Sequence, residues 1–208
     1  MKILIYCTMA KPWLCYDEQQ KKYALRYGKR KDTDLNGTVC FKCECKEAFK
    51  YDFVHRSGDS SNFYIRDQRT ERMKDCLSND DLFDYGKGKT LYAYHFENVK
   101  PIDPMPITHL FKDEACTIPL TRAPQSYCFA YRIAKLPHQH FMASKELLKL
   151  WYSSVHNGDN TCAYLPEKCL VFSIQSPWCC KIGNLEKDLE IRKSCPKEIK
   201  VVACNAQN

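Results

Sequence analysis

The chain has 208 residues and a net charge of +7, from 32 basic and 25 acidic side chains. Hydrophobic residues make up 44% of it and aromatics 12%, enough for a packed core, which excludes a wholly disordered chain. No window approaches about 18 uninterrupted apolar residues, which excludes a membrane-spanning helix. Seven glycines, with neither a GxGxxG nor a GxxxxGK[ST] pattern, disfavour glycine-rich nucleotide loops. The positive balance fits simple solubility or a polyanionic partner bound quickly and salt-sensitively.

In chain order, residues 2–7 read as a buried strand. The apolar run is short, is broken by Lys11 and lacks a small-residue cleavage site, so no secretory signal is expected. With no signal, the fourteen cysteines read as reduced, buried thiols of a cytoplasmic protein rather than a disulfide framework. Residues 16–34 carry Lys21, Lys22, Arg26, Lys29, Arg30 and Lys31. They read as a solvated loop or short helix, or as an arm that contacts phosphates. Asn36-Gly37 marks a turn. Thr38 to Lys46 alternates, with Val39, Phe41, Cys43 and Cys45 on one face and Cys40, Lys42 and Glu44 on the other, a half-buried strand. Strands are expected over 49–54 and 62–66, around a turn at 57–61. Ser78-Asn79-Asp80-Asp81 starts a helix with Leu82, Phe83 and Tyr85 as its apolar stripe, ended by Gly86 and Gly88.

Thr90 to Val99 reads as one alternating strand. Pro101, Pro104, Pro106 and Pro119 make the next stretch a connector, with at most a short helix at 107–111. A strand over 126–134, a helix over 144–152 capped by Ser144, and a loop at 156–160 follow. A strand over 169–174, a helix opened by Pro177, and strands over 188–193 and 199–204 complete the chain. The last strand is expected in the sheet of residues 2–7 or next to it. About eight short strands with a few short helices argue for an α+β fold with a mixed sheet or small barrel.

The informative chemistry lies at 171–196. Glu190 and Arg192 are two apart on a strand, so they share a face, joined by Asp188, with Lys187 at the strand entrance. Beside Trp178 at a helix start, this set suits a planar polar ligand: arginine supplies a fork of donors and tryptophan a stacking face.

At Ser173-Ile174, Lys187, Glu190, Arg192 and Pro196 the chain resembles the ASCH domains of the PUA-like superfamily. The family pattern has a glycine two residues before the lysine; here Leu185 stands there and Gly183 two earlier. Residues 2–8, 11–14, 35–39, 88–95 and 122–128 resemble further blocks of ASCH-like proteins of bacteriophages and prophages. The family order is rearranged, with the signature segment at the C-terminus. The resemblance implies a PUA-like curved β-barrel with short flanking helices, circularly permuted. Residues 1–130 form its main part, 131–168 a helical insert or linker, and 169–208 the signature segment completing the barrel. Residues 169–204 are too few to bury a core alone and must dock on residues 1–130 of the same or a partner chain.

The resemblance also implies a basic cleft for nucleic acid or a modified nucleotide. Its candidate residues are Trp178, Lys181, Lys187, Glu190, Arg192 and Lys193, with Tyr6, Thr8, Lys11, Trp13 and Gln125, and the basic arm at 21–31. Two further readings stand beside this one. A phage-derived inhibitor of a host defence protein would act by protein–protein contact in the cytoplasm of a bacterial host. An amidohydrolase acting on an acylated nucleoside would use Lys187 and Glu190, although small catalytic ASCH proteins carry threonine at the latter position. A monomer or homodimer without a membrane partner is expected. Cys40, Cys43 and Cys45 come close to metal-ligand spacing, but Cys40 is expected on the opposite face and a second pair is missing. His138 and His140 share one side of an extended segment. No metal or cofactor is expected.

Overall fold

The computed structural model describes residues 1–55, 62–65, 68–70, 73–74, 77–134 and 165–202. The expected turn at 57–61, helix at 144–152, loop at 156–160 and the histidines at 138 and 140 lie outside them. Among the described residues the chain forms twelve strands and two α-helices, a mixed α+β architecture.

The strands are β1 (Lys2–Cys7), β2 (Trp13–Asp17), β3 (Lys22–Arg26), β4 (Thr38–Glu44), β5 (Glu47–His55), β6 (Asn62–Ile65), β7 (Leu91–His95), β8 (Glu97–Pro106), β9 (Tyr127–Ala134), β10 (Leu165–Ile174), β11 (Leu189–Arg192) and β12 (Lys200–Val202). The helices are α1 (Asn79–Gly86) and α2 (Ser176–Gly183). Sheet 1 has the order β8-β4-β1-β10-β9, with β1 parallel to β10 and the other neighbours antiparallel. Sheet 2 has the order β11-β7-β5-β12, and β6 adds to β5. β2 and β3 form a separate antiparallel hairpin. Both sheets are open, so no closed barrel is formed among the described residues.

The main core lies between the sheets, where Ile3, Ile5, Phe41, Leu170 and Phe172 meet Ala48, Tyr94 and Phe96, with Cys179 and Ile182 of α2. The rings of Tyr94, Phe96 and Tyr127 surround that of Phe172. On the outer face of sheet 1, Leu4, Val39 and Val171 pack under Ile107, Leu110 and Leu120. On the outer face of sheet 2, Phe49, Leu91 and Ile191 pack with Tyr64 and Leu82 of α1. Period-two alternation therefore runs through both sheets, because each strand divides its apolar residues between two covered faces.

Several expectations are corrected. The basic stretch at 16–34 is neither loop nor helix where it matters: residues 13–26 form the β2–β3 hairpin. Thr90 to Val99 is two strands, broken at Phe96, whose amide donates to Asp188 O at 2.7 Å. Pro101, Pro104 and Pro106 lie in strand β8 rather than in a connector, and they are tolerated because β8 is an edge that pairs only with β4 among the described residues; the short helix follows as a single 3-10 turn at Ile107–His109, and Pro119 lies beyond it. A register shift at Val39–Phe41 turns Val39 to the outer core and brings Cys40 into the inter-sheet core with Phe41, so Cys40 does not oppose Cys43. The last strand pairs in parallel with β5 in sheet 2, not with β1; β10 takes the place beside β1. Residues 131–134 and 165–168 are paired ends of β9 and β10.

Candidate functional site

The signature segment begins where β10 turns into α2. Pro177 stands in the first turn of the helix, where its missing amide hydrogen costs nothing. The helix ends in a Schellman motif: the Glu186 amide donates to Lys181 O at 2.8 Å and the Leu185 amide to Ile182 O at 3.0 Å. Leu185 holds φ at 60°, in the left-handed region that favours glycine. It thus carries the backbone bend at the position where the resembled pattern has its glycine. Gly183 serves close packing instead, since a Cβ there would lie 2.6 Å from the rings of both Phe41 and Tyr23.

The motif delivers Lys187 into the interior. The residue is 3% exposed, and its ammonium donates to Leu189 O and lies 3.7 Å from the Glu190 carboxylate. Arg192 Nη2 lies 2.9 Å from Glu190 Oε1 and donates to Ser173 O at 2.7 Å. The guanidinium also lies over the Phe172 ring at 5.5 Å. Lys187, Glu190 and Arg192 thus converge as a buried triad carrying one excess positive charge. Because β11 belongs to sheet 2 and Ser173 to β10 of sheet 1, Arg192 ties the two sheets together.

This packing turns Lys187 and Glu190 into the interior beside Trp178. The ammonium groups of Lys181 and Lys187 lie over the Trp178 ring at 5.2 and 5.3 Å, so cations already use its π-system. Asp188 does not join the triad; its carboxylate accepts from the Lys74 amide at 2.5 Å. Lys193 is exposed, with its ammonium 4.8 Å over Tyr85. Two concavities lie elsewhere: one at the start of β1, the other at 112–128.

The remaining candidates gather where β1 ends. Tyr6 is buried in the outer core, Lys11 and Gln125 are exposed, and the Trp13 indole donates to Gly28 O at 2.9 Å. The hydroxyls of Thr8 and Ser173 and Arg192 Nε are buried without a hydrogen-bond partner among the described residues. The organising residue here is Asn36, fully buried. Its side-chain amide donates to the carbonyls of Thr8, Ala10 and Pro12, and its Oδ1 accepts from the Leu14 amide at 2.6 Å. The Asn-Gly pair signals only a turn; that the asparagine side chain gathers four backbone groups depends on contacts the sequence does not display.

Asn184, the C-cap of α2, and Cys180 within it hold the hairpin through Tyr23: Asn184 Oδ1 accepts from the Tyr23 amide at 2.8 Å, its amide group donates to Tyr23 O at 2.9 Å, and the Cys180 thiol donates to the same oxygen at 3.4 Å. Within the basic arm the residues divide. Arg26 is bound to buried Asp34 and to the carbonyls of Tyr27 and Lys29, and Arg30 donates to Asn36 O at 3.0 Å. These two arginines shape the loop. Lys21, Lys22, Lys29 and Lys31 are exposed, beside Tyr16 at 43% and Tyr27 at 74% exposure. Tyr16 and Tyr27 were outside the expected set; their spacing among the lysines was the available signal.

The eleven cysteines among the described residues are free thiols. Burial pushes the Cys43 thiol well up and that of Cys45 to about 12, so both stay protonated at neutral pH. No group of three or more metal-ligating side chains is disposed to hold an ion among the described residues, Cys40, Cys43 and Cys45 included. Among the described residues no helix is long and apolar enough to cross a membrane. Comparison with known families, curated proteins and solved structures finds no match for this chain.

Proposed function

We propose that this protein binds single-stranded nucleic acid through the β2–β3 hairpin and the loop at 27–33, on a permuted PUA-like fold of the ASCH type. The observation that carries the reading is the interleaving of exposed Lys21, Lys22, Lys29 and Lys31 with exposed Tyr16 and Tyr27 on a hairpin clamped to α2. Lysines supply phosphate neutralisation, and tyrosine faces supply sequence-tolerant stacking. Lys181 on α2 extends the positive field next to the clamp. The left-handed Leu185 and the convergence of Lys187, Glu190 and Arg192 support the ASCH part of the reading.

Fluorescence anisotropy with single-stranded RNA and DNA oligonucleotides, titrated across salt concentration, tests the proposal. Affinity falls steeply with salt, and Lys29→Ala/Lys31→Ala flattens the log–log slope by about 1.4, or about 0.7 for each phosphate contact to a single strand. Tyr27→Ala weakens binding by about 1–3 kcal/mol for a stacked base. Salt-indifferent binding, or affinity unchanged in all these variants, overturns it. A stoichiometric protein captured from nuclease-treated bacterial lysate in place of nucleic acid favours the inhibitor reading.

A further inference from the structure

We propose that the open end of sheet 1 is a separate binding site for a small phosphate-bearing anion. A concavity of about 330 Å³ lies there, at the start of β1 and so at the opposite end of that strand from the hairpin. Four strands send cations to it: Lys2 from β1, Lys42 from β4, Lys100 from β8 and Arg132 from β9. Only Glu44 and Glu167 among its lining residues are acidic, which leaves two positive charges in excess.

The charges are not equivalent. Glu167 already binds two cations, Lys2 and Arg132, the latter through Nε at 2.6 Å. Glu44 accepts from the Asn98 amide group at 3.3 Å. Lys42 and Lys100 face each other directly in the β4–β8 register, and neither forms an ion pair with a carboxylate among the described residues. Like charges directly opposed on neighbouring strands destabilise the pairing. Such a pair serves the fold poorly, and it serves a dianion placed between the two ammonium groups well. The site also has an apolar floor, Leu4 and Cys169, both buried. That floor keeps water away from one side and strengthens attraction at the rim. A phosphate group seated on this floor of β1 and β10 has Lys42 and Lys100 on its β4–β8 side and Arg132, held by Glu167, on its β9 side.

The test uses inorganic phosphate as the probe, followed by thermal shift and calorimetry at constant ionic strength with chloride as the control. Phosphate raises the melting temperature saturably and chloride does not. Lys42→Ala/Lys100→Ala weakens phosphate binding at least tenfold while its own melting temperature stays level or rises, because repulsion is removed. Lys29→Ala/Lys31→Ala on the hairpin keeps the full phosphate response, so failure of the nucleic-acid reading and failure of this one are separable. The proposal is overturned by no saturable response, by a response that survives in the Lys42→Ala/Lys100→Ala protein, or by a lower melting temperature of that variant without ligand.

Discussion

Leu185 shows how a single backbone angle can be written in the wrong letter. The chain has seven glycines, and Lys21, Lys87, Asn98, Cys116 and Leu185 all hold positive φ without one. Asparagine tolerates this region, whereas leucine costs about 1–2 kcal/mol there. Leu185 is 62% exposed, so little packing offsets that strain. Leu185→Gly is therefore expected to stabilise the protein by about 1 kcal/mol after the greater unfolded-state freedom of glycine is counted. Gly183→Ala is expected to cost about 1–3 kcal/mol, since the Phe41 and Tyr23 rings must move. Urea denaturation of both variants checks the pair; a destabilised Leu185→Gly protein would refute the assignment of strain. At this scale the sequence exposed the irregularity, a glycine two places early. It did not expose the division of labour between a tight contact at 183 and a turn at 185, because the contact partners are about 140 and 160 residues away on the chain.

Between elements, Arg192 is the pin. It draws β11 of one sheet onto β10 of the other through Ser173 O, and it balances Glu190. Arg192→Ala is expected to destabilise the fold by about 3 kcal/mol, the lower end for a broken buried pair, since Lys187 remains 3.7 Å from the orphaned carboxylate. Adding Glu190→Gln should deepen that loss, because it takes the carboxylate from beside the buried Lys187 ammonium. An unchanged denaturation midpoint in Arg192→Ala would refute the pin. A continuous apolar run made β1 legible, alternation made β4 and β7 so, and the Ser78 capping box did the same for α1. The β2–β3 hairpin was illegible because its strands carry charged and exposed side chains on a surface, where hydrophobic periodicity fades. β8 was masked by its prolines, whose rule against strands relaxes at an edge.

For the whole molecule, the decisive fact is that β10 lies inside sheet 1, between β1 and β9, while β11 and β12 form the two ends of sheet 2. A chain ending at residue 164 therefore loses the parallel partner of β1 and the only strand neighbour of β9 among the described residues. It is expected to be insoluble or to lack cooperative unfolding by near-ultraviolet circular dichroism; a cooperatively folded truncation would show that the sheets do not depend on this segment. That residues 169–204 could not stand alone followed from their number; which strand they would join did not, because parallel pairing over long separation leaves no local mark. The same arrangement has a consequence in time. Lys2 and Glu167 are bonded across 165 residues of chain. At about 5–20 residues per second, a ribosome needs roughly 10–30 s to make the intervening polypeptide. Throughout that interval the flank of Ile3, Ile5 and Cys7 that β10 will occupy has no permanent neighbour. The nascent chain must wait with an unpaired strand edge exposed to other chains, so slower elongation lengthens the time in which it can aggregate.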